Sequence, residues 1–397
     1  MPLLIRITTV PVSMQVLLKG QMKFMQEQGF EVVMISSDGP EVKALEAQEQ
    51  CRHLSVPFTR KISPVQDLVC LVKLIRIFRK LKPDIVHTHT PKAGLLGMWA
   101  AHLSGVPVRL HTIAGLPWVE TTGFMRKLLR FVEKLTAMPA SRIYPNSMVQ
   151  QRFLEQQHIA LGKMKVLGKG SSNGINSTHF SVDEQIEQEA NRLKSAENIQ
   201  AGAWIWIFIG RLVKDKGIGE MLDAFTEIHK RFPDDRLWLL GEEEPELDPL
   251  TEHQKEILKN SRSIRCWGFQ KDIRPYLAAA RILVFPSYRE GFPNVPLQAG
   301  SMGCMLLLSD INGCNEIVDN GVNGMLVPPK NTEALQSAML AARNDPSTTD
   351  RYAKAIQLKI RSDYDQQQLW KILLSEYRQW LEQKGRTRAR AKNEKYL

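Results

Sequence analysis

Short apolar runs, each followed by a stretch with helical spacing, alternate along nearly the whole chain. In the first half the runs are LLIRIT (3–8), EVVMIS (31–36), DIVHTH (84–89), VRLHTI (108–113), RIYPNS (142–147) and KVLGKG (165–170), with helical patterns such as VLLKGQMKFMQEQ and AGLLGMWAAHLSG between them. Strands separated by helices at this rhythm need crossover connections, and near-continuous apolar runs need cover on both faces. A parallel sheet between two layers of helices satisfies both demands. A polar, helix-prone stretch at 181–200 follows, and the rhythm restarts with WIWIFIGR (204–211), RLWLLG (236–241), SIRCWGF (263–269), RILVFPS (281–287), CMLLLSD (304–310) and GMLVPP (324–329). The pattern predicts an α/β fold of two Rossmann-like, doubly wound domains, 1–180 and 181–364. A helix over 365–384, with Leu369, Ile372, Leu373, Tyr377 and Trp380 on one face, is expected to pack back on the first domain, ahead of a basic tail at 385–397. Two such domains imply a cleft with ligands at the carboxyl ends of the strands.

The length of 397 residues agrees with two domains, since single cores rarely grow that large. No run of eighteen apolar residues and no leader pattern occurs, so the expectation is a cytoplasmic chain that neither spans a membrane nor is exported. Five cysteines without a CxxC spacing read as reduced thiols, with no disulfide framework and no zinc site. The net charge of +11 is uneven: residues 1–180 carry +12 and the remainder −1. A basic half attracts polyanions, either nucleic acid or an anionic membrane. In LVCLVKLIRIFRKLK (68–82) and GFMRKLLRFVEKL (123–135), Lys and Arg interleave with Leu, Ile, Phe and Met, as in helices that rest among lipid headgroups. The competing reading is two core-packed helices with solvated basic faces. No RNA-binding aromatic pattern or base-reading helix is present, so nucleic acid is not expected as a partner.

Two stretches of the second half carry chemistry. RLVKDKG (211–217) places Arg211 and Lys216 just past a buried strand, ahead of Gly217 where a helix can begin. Paired cations there suit a diphosphate, although a surface Lys/Arg loop would read the same way in isolation. SYREGFPNVPLQAGSMG (287–303) reads as loop then helix, with Asn294 or Val295 as the cap and Pro296 in the first turn. Amides from Gly291 to Asn294 can point at an anion, and Glu290 stands where a polyol could bond it. Glu316, in NGCNEIVDNG, can cap a helix or reach the same ligand.

These stretches, with SDINGCNEIVDNGVNGMLVPP, NGIN (173–176), HTHTPKAGLLG (87–97), RLHTIAGLP (109–117) and GKGSSNGIN (168–176), resemble GT-B fold glycosyltransferases of the family 4 type. The likeness is nearest to bacterial enzymes that build capsule, O-antigen or other glycans on undecaprenyl diphosphate. It implies that Arg211 and Lys216 hold the donor diphosphate, and that Glu290 is the first glutamate of the family's paired motif, contacting the donor sugar. Gly210, Gly291, Phe292, Pro293, Asn294, Leu297 and Gln298 would line the donor. The family's second glutamate, which binds the ribose, is replaced here by Gln298, which keeps an acceptor oxygen and loses the charge. His111 matches a family histidine near sugar and acceptor; Ser13, as cap of the first helix, His87 and His89 are further acceptor-side candidates. His87 and His89 share a strand face, but no third ligand accompanies them, and the resemblance implies no metal and no cofactor.

The implied activity is retaining transfer of a sugar from a nucleotide donor to an undecaprenyl-diphosphate-linked saccharide in surface polysaccharide synthesis. An N-acetylhexosamine from UDP, with N-acetylgalactosamine foremost, is the expected donor. The enzyme is expected on the inner face of the plasma membrane, docked through helix 123–135, with Trp118 and Phe124 nearby, and through the tail. The alternatives are a nucleotide-sugar epimerase of the same fold and an inactive membrane-binding protein.

Overall fold

A computed structural model describes residues 1–119, 121–244 and 248–393. The chain forms two compact units, Gly174–Gln366 and, as the other, Met1–Asn173 with the segment from Gln367 onward. The division falls at 173/174 and 366/367, where the sequence reading put 180/181 and 364/365.

The first unit is a six-stranded parallel sheet of β1 (Leu3–Ile7), β2 (Glu31–Ser36), β3 (Arg52–Ser55), β4 (Ile85–Thr88), β5 (Val108–Ile113) and β6 (Arg142–Pro145), ordered β3-β2-β1-β4-β5-β6. The second has β7 (Ile205–Ile209), β8 (Arg236–Leu240), β9 (Ile264–Gly268), β10 (Ile282–Phe285), β11 (Met305–Ser309) and β12 (Met325–Val327), ordered β12-β11-β10-β7-β8-β9. Both are Rossmann-like. In each, the strand order reverses beside the unit's first strand, so β1 and β4 pair in one unit and β7 and β10 in the other. The crevice at such a reversal is where doubly wound sheets accept ligands.

Burial follows the runs. Every residue of β1, β7 and β11 is buried. Trp206, Phe208, Trp238 and Leu239 centre the second unit's core. In the first unit, one apolar layer is built around Leu74, Phe78 and Trp118 and another around Met25, Met34 and the C-terminal helix.

Two strand readings need correction. KVLGKG at 165–170 is loop, because Gly168 and Gly170 take φ of 57° and 110°, outside any strand. Conversely β3 escaped notice: RHLS is a short edge strand whose side chains are only partly covered, so it has no apolar run to announce it. The polar stretch before the second unit is helical over Glu184–Ala196, with the Asp183 carboxylate accepting from the Ile186 amide.

The C-terminal helix runs from Gln366 to Asn393; the tail's last residues, 394–397, lie outside the described residues. Leu369, Trp370, Leu373, Leu374 and Tyr377 bury against the first unit's sheet. Ile372, expected on that face, is 37% exposed, while Trp370 and Leu374 are covered. The buried rows are 369/373/377 and 370/374, and position 372 lies about 100° round the helix from 373. Among the described residues no helix is long and apolar enough to cross a membrane.

Candidate active site

In the second unit, the two signature stretches converge on the strand reversal. RLVKDKG leaves β7 and passes through a single turn, Lys214–Lys216, before the helix Ile218–Arg231. SYREGF leaves the adjacent β10 and leads into the helix Asn294–Ser301. The Lys216 ammonium therefore meets the Glu290 carboxylate at 2.6 Å, although 74 residues separate them. The Ser287 hydroxyl donates to the same Glu290 oxygen at 3.0 Å and receives a long contact from Lys216 at 3.5 Å. Both charged side chains are less than one-fifth exposed. A carboxylate and an ammonium are thus held side by side at two helix starts, the arrangement needed to grip a polyol and an anion at once.

Glycines make this convergence possible. Gly217, at φ 70°, approaches β10 so closely that an added Cβ would sit 2.2 Å from the Pro286 carbonyl oxygen. Gly313, at φ 79°, presses on the Glu290 loop, and a Cβ there would lie 2.7 Å from the Gly291 carbonyl oxygen. The Asn312 side chain donates to that same carbonyl at 2.7 Å, so the 312–313 loop braces the segment carrying Glu290.

Two further cations of these stretches, Arg211 and Arg289, are partnered elsewhere. Arg211 reaches Glu244 at 2.8 Å, with both side chains nearly half exposed, so it does not join the Lys216–Glu290 pair. Arg289 pairs with Asp215 at 2.8 Å. The Tyr288 hydroxyl donates to Glu220 at 2.6 Å, and burial beside that carboxylate pushes the phenol up.

The helix that follows the Glu290 loop differs from expectation at its cap. Its N-cap is Pro293, which has no side chain to accept a bond, with Asn294 as first residue and Pro296 in the first turn. Leu297 is fully buried and serves the core. Gln298 is half-buried on the same helix, Phe292 packs its ring on Tyr364 at 5.5 Å, and Gly210 follows β7 beside Gly241. Glu316 lies in the short helix Cys314–Ile317, its carbonyl accepting from the Tyr364 hydroxyl at 3.0 Å.

In the first unit, the reversal between β1 and β4 holds a buried polar network that sequence reading missed. Arg6, wholly buried in β1, donates to the Tyr377 hydroxyl at 2.7 Å, to His89 Nε2 at 2.8 Å and to the Gln21 carbonyl oxygen. Arginine can only donate, which fixes the direction of every bond beyond it. The Tyr377 hydroxyl donates to His87 Nδ1 at 2.6 Å, and His87 Nε2–H donates to Thr112 at 2.8 Å. Burial beside the Arg6 charge holds His87 and His89 well below the usual imidazole range. Both are neutral, and both nitrogens of His87 are engaged within the fold. The sole sequence signal was an arginine inside an otherwise apolar strand.

His111, on β5, bonds the Thr88 hydroxyl at 2.8 Å through Nδ1 and is 2% exposed. Burial lowers it to about 4. The helix Pro91–Leu103 presses on its ring at Gly94, where a Cβ would stand 2.4 Å from Cε1. Ser13 does not cap the first helix. That helix is Pro11–Leu17 with Val10 as N-cap, so Ser13 lies inside it, and a second helix starts separately at Gln21. The Glu49 carboxylate occupies the amides of Gly20 and Met22 at that second start. No group of three metal-ligating side chains gathers among the described residues.

Two Rossmann-like units, each a six-stranded parallel sheet, are the architecture of the GT-B glycosyltransferases. Residues 204–345 match the family described as "Glycosyl transferases group 1" and residues 14–170 the "Glycosyl transferase 4-like domain". The chain belongs to this glycosyltransferase family and is a transferase. It is 29% identical over 369 residues to the capsular polysaccharide biosynthesis glycosyltransferase CapM of Staphylococcus aureus, covering 92% of this chain and 94% of that one. It is 26% identical over 331 residues to the Escherichia coli UDP-Gal:alpha-D-GlcNAc-diphosphoundecaprenol alpha-1,3-galactosyltransferase, covering 82% and 83%. Among solved structures, Anabaena Alr3699/HepE in complex with UDP and glucose superposes with a TM-score of 0.80 at 17% identity, over 95% of this chain and 99% of that one, a likeness of fold.

Proposed function

We propose that the chain transfers a sugar from a UDP donor, with retention of anomeric configuration, to a hydroxyl of a saccharide carried on undecaprenyl diphosphate in the synthesis of a surface polysaccharide. The observation that carries this reading is the Lys216–Glu290–Ser287 cluster at the β7/β10 reversal, beside two helix starts. The names of the two curated relatives, one a capsule enzyme and one acting on a diphosphoundecaprenol acceptor, support the acceptor class.

In this scheme Glu290 accepts hydrogen bonds from the donor sugar while Lys216, Arg211 and the amides of Gly291, Phe292 and Asn294 hold the diphosphate. Gln298 bonds the ribose, Gly210 opens the loop after β7, Phe292 and Pro293 shape the loop after β10, and Leu297 anchors that loop's helix in the core. The C1–O bond to the β-phosphate breaks, the acceptor oxygen bonds C1 from the same face, and the acceptor proton passes to the departing phosphate. Lys216 and Arg211 stabilise the charge that develops on that phosphate, so positive charge comes from the protein and no metal enters. His111, neutral with its Nδ1 on Thr88, lies on the acceptor side, and His87, His89 and Ser13 belong to the same unit. The enzyme works as a peripheral protein on the inner face of the membrane, drawn there by its basic first half and by the helix Gly123–Ala137, which exposes Phe124, Met125 and Phe131.

The test is a panel of UDP-, GDP- and dTDP-sugars, UDP-N-acetylgalactosamine first, incubated with a short polyprenyl-diphosphate sugar and scored by mass spectrometry. A gain of one sugar from one donor, lost in Glu290→Ala and Lys216→Ala, is expected. Isomerised donor without acceptor would instead identify an epimerase, and no turnover with intact vesicle binding would identify an inactive membrane-binding protein.

A further inference from the structure

The Lys216–Glu290 bond cannot hold its own spacing while it is in use. A donor that grips Glu290 through its sugar and Lys216 through its phosphate must share or break the 2.6 Å contact between them, and the two loops then need another tie. Three further ties join the same segments. The Tyr288 amide donates to the Asp215 carbonyl at 2.9 Å. Nε and Nη2 of Arg289 donate to Asp215 Oδ2 at 3.1 and 2.8 Å, so the residue before Glu290 is bound to the residue before Lys216. The Tyr288 hydroxyl donates to Glu220 at 2.6 Å, and the Lys330 ammonium lies over its ring at 4.8 Å. Packing alone does not set this loop. Residues 286–293 form no helix or strand, and Tyr288 borders a cavity of about 500 Å³ that Lys214, Glu220, Asp248 and Lys330 also line. The Asp215 carboxylate is kept at a cost, because its Oδ1 is buried with no hydrogen-bond partner among the described residues. Stability alone does not account for a carboxylate there.

We propose that Asp215, Arg289 and Tyr288 are positioning residues of the transfer reaction, which keep the loops after β7 and β10 in register once the donor has loosened the Lys216–Glu290 bond. The ammonium then stays where charge develops on the departing phosphate, and the carboxylate stays on the sugar hydroxyls. The proposal rests on the donor-site reading above and adds the residues that hold its spacing. Each works through Lys216 or Glu290, and none touches the donor. Arg289 is the residue that decides between this role and a direct one. Its side chain is 46% exposed, and a cation in that place can bind phosphate itself. Asp215 holds it through two N–H groups on one oxygen, however, and a guanidinium so neutralised adds little attraction for an incoming anion. In the free enzyme the inner bond already fixes the spacing, so the ties act after the donor is bound. Their loss therefore falls on kcat more than on the donor KM.

The test is the transfer assay above, with the same sugar-nucleotide panel and short polyprenyl-diphosphate sugar, applied to the full chain carrying D215N, R289Q, Y288F or D215N/R289Q. K216A, E290A and R289Q/K216A run beside them, and scanning fluorimetry confirms that each variant is folded. D215N and R289Q are each expected to lower kcat about tenfold with the donor KM within about twofold, and Y288F to lower kcat about threefold. The D215N/R289Q chain is expected to be no slower than either single variant, and R289Q/K216A no slower than K216A, because residues that act through one pair do not add. Y288F keeps the ring under Lys330, so it reports on the ties even where a charge variant fails to fold. Losses that multiply in R289Q/K216A would overturn the proposal, since a structural weakness and a direct phosphate contact both multiply. A lower donor KM in D215N would overturn it in favour of an Arg289 that binds the donor once released. So would parent-like kcat in Y288F and D215N/R289Q together. Parent-like transfer by K216A and E290A, or none by the parent, would instead refute the reading of the donor site itself.

Discussion

Replacing Gly217 by alanine tests whether the contact between the two loops positions the Lys216–Glu290 pair. Two costs act there. The residue sits at φ 70°, a conformation that an L side chain enters at roughly 1–2 kcal/mol. The new Cβ would also lie 2.2 Å from the Pro286 carbonyl oxygen, so the β7 and β10 loops must part by about 1 Å, an overpacking cost of about 1–3 kcal/mol. Gly321→Ala separates the two costs, because Gly321 has φ 76° with nothing nearer than the Tyr352 hydroxyl at 4.0 Å. In a unit of this size each kcal/mol moves the melting temperature by about 2–4 °C. Gly321→Ala is expected to lower melting by about 2–8 °C and leave transfer intact. Gly217→Ala is expected to lower it by about 4–20 °C and, by displacing Lys216 from Glu290, to cut kcat/KM about a hundredfold. Differential scanning fluorimetry and the mass-spectrometric transfer assay read the two effects. Equal melting shifts in the two variants, with transfer unchanged in both, would refute the argument that Gly217 sets the spacing.

Lys216→Ala and Glu290→Ala are each expected to lower kcat/KM by about 10²–10³ in the same assay, the usual cost of one preorganised group at a developing charge. Glu244→Gln, which frees Arg211 from its exposed partner, is expected to lower the donor KM a few fold at low salt and to lose that advantage as salt rises. Burial raises Glu133 from 4.5 to about 7, so the folded state holds its proton more tightly than the unfolded chain. Its stabilising effect is present below 4.5 and is lost as pH rises through 7, so Glu133→Gln should gain up to about 3 kcal/mol at pH 8 and little at pH 4 by denaturant titration. His111 has the opposite sign: with a folded value of about 4 against 6.5, its contribution is full above 6.5 and is lost as pH falls through 4. A His111→Asn chain should therefore show a flatter loss of stability between pH 6.5 and 4.

The sheets were legible because most of their strands are predominantly apolar, and eleven of the twelve coincide with runs visible in the sequence. The exception, β3, has partly covered side chains and leaves no hydrophobic signal. Loop conformation was less legible: KVLGKG carries strand-like residues, but two positive-φ glycines decide against the strand. At the site, residue types and spacing singled out Lys216 and Glu290, yet nothing in the sequence places Arg211 on Glu244, because that contact depends on where the loop after β8 turns. Arg6 was invisible for a different reason. Its partners Gln21, His89 and Tyr377 come from separate elements, so only the fold assembles them.

Charge is divided unevenly between the units, and the ion pairs show how. In the second unit three of the four cations in the two signature stretches are matched within the chain: Lys216 by Glu290, Arg211 by Glu244, Arg289 by Asp215. A diphosphate reaching that reversal must share or replace a carboxylate already in place, so discrimination there comes from short-range geometry more than from long-range attraction. The first unit differs, because its surplus is spread over helices whose exposed lysines and arginines meet few acids, as on Pro64–Leu81, and such a field acts at a distance. Surplus positive charge therefore belongs to the half that we propose meets the membrane, and balanced pairs to the half that we propose grips the nucleotide sugar.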